Sequence, residues 1–260
     1  MITGGNAGVV FELAKILYGA NAKVYLAGRS EKRVSEAIRL LRAEFPSSRG
    51  DLVWLPLDLA DLTSVKTAVE ECESKEKRLD VLWNNAGIMC TPATAKSEQG
   101  CNLQICTNVF GPYLFTALLY PTTRKTAETC PLNSVRVCWA SSITVDLSPQ
   151  GGIEIDGSGS LILPKSKYIT YSDSKVANNM LASEFGKKCR QENILSVALN
   201  PSNLDTGLTQ YLTLPFLGSI VPRLMSLVMW PPRYGAYTEL YAGISPDLTI
   251  EQHSGAYIWP

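Results

Sequence analysis

Residues 3–28 read TGGNAGVVFELAKILYGANAKVYLAG, and three features in that order decide the fold. A glycine-rich turn, Thr3-Gly4-Gly5-Asn6-Ala7-Gly8, comes first. Val10, Leu13, Ala14 and Leu17 then recur at helical spacing between Ala7 and Ala20. Lys23-Val-Tyr-Leu-Ala27 follows as an apolar strand. Glycines ahead of a helix allow a tight turn and let a pyrophosphate approach the backbone N–H groups of the helix N-terminus. Only Met1 and Ile2 precede the turn, so the strand leading into it is expected to be largely absent.

Outward from this run the alternation continues. Ser30 is placed to cap a helix carrying Val34, Ala37, Ile38 and Leu41, which Pro46 stops. Leu52–Leu57 reads as a strand, Asp61 opens a helix through Val65, Ala68 and Val69, and Leu79–Trp83 is a further strand. A long helix is expected over Ser97–Tyr120, a strand over Ser134–Ala140, and a helix over Tyr171–Arg190. Residues 148–166, with four glycines and two prolines, read as loop. Ile194–Leu199 is a strand, Tyr234–Ile244 a helix and Ala256–Trp259 a last strand. Apolar strands alternating with helices give an α/β fold, a doubly wound parallel sheet with helices on both faces. With no repeat and no linker, residues 1–260 read as one domain. Such sheets bind ligands at the carboxyl ends of their strands. The polar clusters fall there: Gly28-Arg29, Asp58, Asn84-Asn85-Ala86-Gly87, Ser141-Ser142 and Asn200-Pro201.

Composition removes other classes. A chain of 260 residues that is 45% hydrophobic can bury a sizeable core, which excludes a disordered or collagen-like chain. Lys+Arg and Asp+Glu both number 24, so nothing favours nucleic acid or an anionic membrane as partner. The 7 cysteines form no CxxC and His253 is the sole histidine, which argues against a zinc site and for reduced thiols in a cytoplasmic protein. The first motif starts at residue 3, leaving no room ahead of it for a signal peptide. The apolar stretch Leu212–Trp230 is broken by Pro215, Pro222 and Arg223 and reads as a lid or core segment, not a membrane span.

Tyr171-Ser-Asp-Ser-Lys175 places a phenol and an ammonium at i and i+4, on one helix face. A neighbouring cation favours the phenolate and is expected to lower the tyrosine pKa. Taken with the glycine-rich turn, Asn84–Gly87, the serine ending the fifth strand and Pro201 to Thr206, this set resembles the short-chain dehydrogenase/reductase family. The flavour is that of its retinol-dehydrogenase-like and fungal members. The resemblance runs from residue 3 to the C-terminus and implies a Rossmann-like fold. It also implies roles. Tyr171 is the general acid/base, Lys175 tunes it and bonds the nicotinamide ribose, and Ser142 orients the substrate. Asn108 holds a proton-relay water. Gly4, Asn6 and Gly8 cradle the pyrophosphate. Asn85 and Gly87 contact the adenosine side, Asp58 meets adenine, and Thr206 bonds the carboxamide. Members often pair as homodimers through two long helices, here Ser97–Tyr120 and Tyr171–Arg190.

The cofactor preference follows from charge. NAD-type members carry an acidic residue after the second strand; here Gly28 is followed by Arg29, which suits the 2′-phosphate of NADP(H). The expected activity is interconversion of a carbonyl and a secondary alcohol on a lipophilic small molecule, of polyketide, terpenoid or retinoid-like type. Trp139, Tyr113, Tyr168, Phe216 and Trp230 are candidates for a greasy pocket wall. Val10 and Ser202 stand where the family has glycines, and with the short first strand they put the cofactor cradle in question. An inactive or dinucleotide-sensing protein is therefore the rival reading, and an isomerase or dehydratase on the same fold the second.

Overall fold

The computed structural model describes residues 1–4, 6–149, 152–202, 204 and 229–260. Seven strands form one parallel sheet in the order β3-β2-β1-β4-β5-β8-β9. They are β1 (Ile2–Thr3), β2 (Lys23–Gly28), β3 (Asp51–Pro56), β4 (Val81–Asn84), β5 (Val135–Ala140), β8 (Ile194–Leu199) and β9 (Tyr257–Ile258). The helices are α1 (Gly8–Gly19), α2 (Glu31–Glu44), α3 (Leu62–Lys75), α4 (Leu103–Ile105), α5 (Gly111–Ala127), α6 (Lys167–Cys189), α7 (Pro232–Ile244) and α8 (Ile250–His253). The strand order reverses between β1 and β4, which opens a crevice at their carboxyl ends.

The strands are buried on both faces, so each face carries its own core. Val69, Leu82, Phe115, Leu119, Trp139 and Ala182 fill one, with α3, α5 and α6. Leu13, Leu26, Val34, Cys138, Val197 and Ala242 fill the other, with α1, α2 and α7. Val10 belongs to this second core at 2% exposure, so the bulk expected to disturb helix packing is enclosed there. Helix α7 closes onto the sheet because position 243 is glycine; a Cβ there would meet the Trp83 ring at 2.1 Å. Trp83 Nε1 donates to Glu239 O, and Arg136 donates to Ala242 O and Ser245 O, which fixes α7 in that pose.

The first strand is short, two residues long. Ile2 pairs with both Leu26 and Trp83, and Thr3 with Ala27. Lys23–Tyr25 pair with β3 and have no β1 residue opposite.

Three element boundaries differ from expectation. The helix expected over Ser97–Tyr120 starts at Leu103, passes through a π-turn at Cys106–Phe110 and continues to Ala127. It runs past Pro121 because the carbonyl that proline leaves unbonded belongs to Ala117, on the exposed face. Helix α6 starts at Lys167, four residues before Tyr171, because Ser166 caps it through Ile169 N. The loop 148–166 holds a small antiparallel hairpin, β6 (Glu154–Ile155) with β7 (Leu161–Ile162). Leu212–Trp230 lies outside the described residues except for Met229 and Trp230.

Candidate active site

The site is built at the carboxyl ends of β1, β2, β4 and β5. After β1, Gly4 takes φ +96° and its N–H donates to Ala27 O. A Cβ at Gly4 would come 3.3 Å from Ala86 Cα, so the turn needs glycine both for its backbone and for its neighbour. Ala7 caps α1 without a side-chain acceptor, which leaves the first N–H groups of that helix free for an anion.

A cleft at this turn is lined by Gly4, Asn6, Gly28, Arg29, Ser30, Arg33, Asp58, Gly87 and Thr107, among others. Gly8 and Asn85 are not among the lining residues; Asn85 is half-buried in the turn after β4. Asp58 Oδ1 accepts from Ala60 N, so one carboxylate oxygen braces the loop. Its Oδ2 lies 4.0 Å from the Arg29 guanidinium, both groups being well exposed. Arg33 adds a second cation to the same wall, a residue the sequence reading missed. Its signal was present: Arg33 is three residues beyond the Ser30 cap, and its N–H donates to Ser30 Oγ, so it stands in the first turn of α2.

The residues fit a dinucleotide. Uncapped helix amides suit a pyrophosphate, and two guanidiniums beside Ser30 suit a further phosphate. Thr107 lines the cleft, and its Oγ1 is buried with no hydrogen-bond partner among the described residues.

Across the switch point, α6 brings in the phenol and the ammonium. Tyr171 is 7% exposed and Lys175 is 4% exposed. Lys175 Nζ donates to Ala140 O at 2.9 Å and lies 5.6 Å from the centroid of the Tyr171 ring. Desolvation lowers the Lys175 pKa to about 8, opposed by Glu239. Burial pushes the Tyr171 phenol up to about 12, with Ser142 pulling it back. The sequence reading had Lys175 lowering this pKa; here burial raises it, Ser142 opposes the rise, and the Lys175 ammonium donates to Ala140 O. The two serines at the end of β5 divide cleanly. Ser141 Oγ is turned inward to Lys175 O at 2.9 Å, while Ser142 faces Tyr171. The Ser142 carbonyl accepts from the Tyr257 hydroxyl at 2.8 Å, which fixes its backbone.

Asn108 sits in the π-turn, fully buried. Its Nδ2 donates to Ile88 O and Ser174 Oγ, and its Oδ1 accepts from Ile88 N. It thus joins the loop after β4 to α6. Thr206 and Phe216 lie outside the described residues. Of the expected wall residues, Trp139 is fully buried core with Nε1 on Ser196 Oγ, whereas Tyr113, Tyr168 and Trp230 are exposed.

Ser202 takes φ +83°, the left-handed region that glycine occupies freely. Ser202→Gly is expected to stabilise the protein by about 1 kcal/mol, the usual cost of that region for an L residue. Thermal melting measures it; an unchanged or lower midpoint would show that the Asn200 Oδ1 bond to Ser202 N already offsets the strain.

The sequence profile described as short chain dehydrogenase matches residues 1–129. A short-chain dehydrogenase/reductase of Phomopsis amygdali is 44% identical over 253 residues, 96% of this chain and 74% of that protein. Among solved structures, the Pseudomonas aeruginosa RhlG/NADP active-site complex superposes with TM-score 0.74 at 20% identity, covering 99% of this chain and 93% of the other. The 3-ketoacyl-(acyl-carrier-protein) reductase of Brucella melitensis, complexed with NADH, gives TM-score 0.69 at 21% identity, covering 99% and 94%.

Proposed function

Because the chain belongs to the short-chain dehydrogenase/reductase family of oxidoreductases, we propose that it interconverts a carbonyl and a secondary alcohol on an apolar small molecule, using NADP(H). The observation that carries this is the meeting of Ser142, Tyr171 and Lys175 at the strand ends beside the Gly4 turn. Residues 1–260 would act as one dinucleotide-binding unit. The nicotinamide, when bound, supplies or accepts the hydride. Tyr171 Oη keeps its proton at neutral pH, as its raised pKa requires, and gives it to the carbonyl oxygen. Ser142 Oγ bonds the same oxygen and stabilises its developing charge. Lys175 holds its ammonium between Ala140 O and the Tyr171 ring, ready to stabilise a phenolate when the proton has left. Asn108 braces the floor between Ile88 and Ser174.

Arg29 and Arg33 support the choice of NADP(H), because no carboxylate ends β2 and two cations line the wall where a 2′-phosphate would lie. Exposed Ile143, Leu147 and Tyr168 near the site support an apolar substrate. Calorimetry with NADPH and NADH, with turnover of a carbonyl panel, tests the reading. Arg29→Ala and Arg33→Ala are each expected to weaken NADPH by roughly 1.5–3 kcal/mol, a charge-assisted hydrogen bond apiece, and to leave NADH nearly unchanged. Equal weakening of both nucleotides, or a wild-type preference for NADH, would remove the NADP(H) assignment. Cofactor binding without turnover of any carbonyl would favour the sensing reading.

A further inference from the structure

Asp173 stands two residues after Tyr171, so it points about 200° around the helix from the phenol and takes no part in the chemistry. It is nonetheless 6% exposed. Its Oδ1 accepts from Ser148 Oγ at 2.6 Å. Ser148 ends the five-residue 3-10 helix Ile143–Leu147, whose first cap is Ser142 itself, with Oγ accepting from Thr144 N. That short helix is therefore pinned at both ends: at Ser142 by the β5 backbone and Tyr257, and at Ser148 by the catalytic helix. Between the pins it carries Ile143 and Leu147, aliphatic side chains 38% and 67% exposed, on a short helix that follows Ser142 directly and packs against α6. Beyond Ser148, Gly152 lies against Val176 and Met180 of α6, and Ile153 and Leu161 pack on the cluster of Ile105, Val109 and Ala177.

We propose that Asp173 is a positioning and specificity residue. Through Ser148 it holds the Ile143–Leu147 wall against the catalytic helix, so that the wall receives the apolar body of a bulky carbonyl substrate. The proposal rests on the carbonyl-reductase reading above. A carboxylate suits the task better than a second hydroxyl, because a charge-assisted bond is shorter and stronger than a neutral one. Burial raises the Asp173 pKa, Ser148's bond opposes that rise, and Glu154 is the neighbouring acid that adds to it. A wall held by one strong bond at its far end discriminates by size: a bulky ketone touches it and a small one does not.

The test uses the full chain and two probes, decalone as a bulky apolar ketone and diacetyl as a small one. Asp173→Ala and Ser148→Ala are each expected to raise the KM for decalone about tenfold, with kcat held within about twofold, as loss of uniform binding requires. The KM for diacetyl and the affinity for NADPH stay at wild-type values. Asp173→Asn keeps an Oδ1 acceptor and recovers most of the loss. The double variant is no worse than either single one, because both remove the same bond. Equal losses on both probes, a fall confined to kcat, or additive losses overturn the proposal. Hydrogen exchange gives a reading independent of turnover: amides 143–148 exchange at least about tenfold faster in Asp173→Ala while those of α6 do not change. Unchanged exchange in 143–148 overturns the latch. Faster exchange in a protein that reduces neither probe supports the latch and counts against the carbonyl-reductase reading instead.

Discussion

Tyr171→Phe is expected to lower kcat/KM for carbonyl reduction by at least about a hundredfold, the lower range for a general acid. Among the described residues the phenol is the donor set against the Ser142 hydroxyl, and burial keeps it protonated with a pKa of about 12. Removing the hydroxyl leaves the ring, which is 7% exposed and packed against Lys175. NADPH affinity and melting temperature should therefore hold close to wild type, which separates loss of chemistry from loss of fold. The nearest replacement donor, Ser142 Oγ, accepts from Thr144 N, and an aliphatic hydroxyl is a far weaker acid than a phenol. A phenylalanine variant that keeps more than about a tenth of wild-type turnover would falsify the assignment of Tyr171 as the acid, since no general-acid role is that small.

The strands, and the placing of Tyr171 and Lys175 on one helix face, were legible because each rests on a local pattern. β2 was read as Lys23–Ala27 and runs to Gly28, since its apolar residues and bounding glycine are contiguous. Ser30 and Asp61 cap their helices as expected, through Arg33 N and Thr63 N. What was not legible depends on partners distant in sequence. No propensity announces the π-turn at Cys106–Phe110; it forms where Asn108 must reach both Ile88 and Ser174. Trp139 looked like a pocket residue because aromatic side chains line pockets and cores alike; only the sheet register puts it inward, opposite Ala198. The direction of the Tyr171 pKa failed for a related reason. Spacing gives the proximity of Lys175, but not the depth of burial, and burial is what raises the pKa of this phenol. Ser202, by contrast, stands where the family resemblance expects glycine, and its φ of +83° is a conformation that glycine holds freely.

Lys175→Met is expected to move activity and stability in opposite directions. Turnover should fall at least about a hundredfold, because the cation that would stabilise the phenolate is gone and so is a ligand for the cofactor. The folded chain should nevertheless become more stable. Lys175 Nζ is fully enclosed and its only hydrogen-bond partner among the described residues is Ala140 O. That carbonyl also accepts from Asn178 Nδ2 at 2.9 Å, so it keeps a partner after the substitution. Glu239, the one acid in range among the described residues, has its own pKa raised to about 8 by burial, and a mostly neutral carboxyl gives the ammonium little relief at neutral pH. A lysine whose pKa falls from an unfolded value of about 10.4 to about 8 penalises the folded state by roughly 3 kcal/mol. The sign follows from proton uptake: the unfolded chain binds more protons between those two values, so the penalty is whole below about pH 8 and disappears as pH rises towards the unfolded value. Methionine fills nearly the same volume without the charge. For a chain of this size the gain corresponds to a rise in melting temperature of roughly 6–12 °C near neutral pH, shrinking towards nothing at about pH 10. Melting curves at the two pH values measure it. A variant that melts lower than wild type near neutral pH would mean that the ammonium is solvated or paired in a way that its burial and single carbonyl partner do not provide. The same titration sets the alkaline limit of activity: kcat/KM for reduction by the wild type should decline as pH passes about 8 and Lys175 loses its charge, well before Tyr171 begins to ionise.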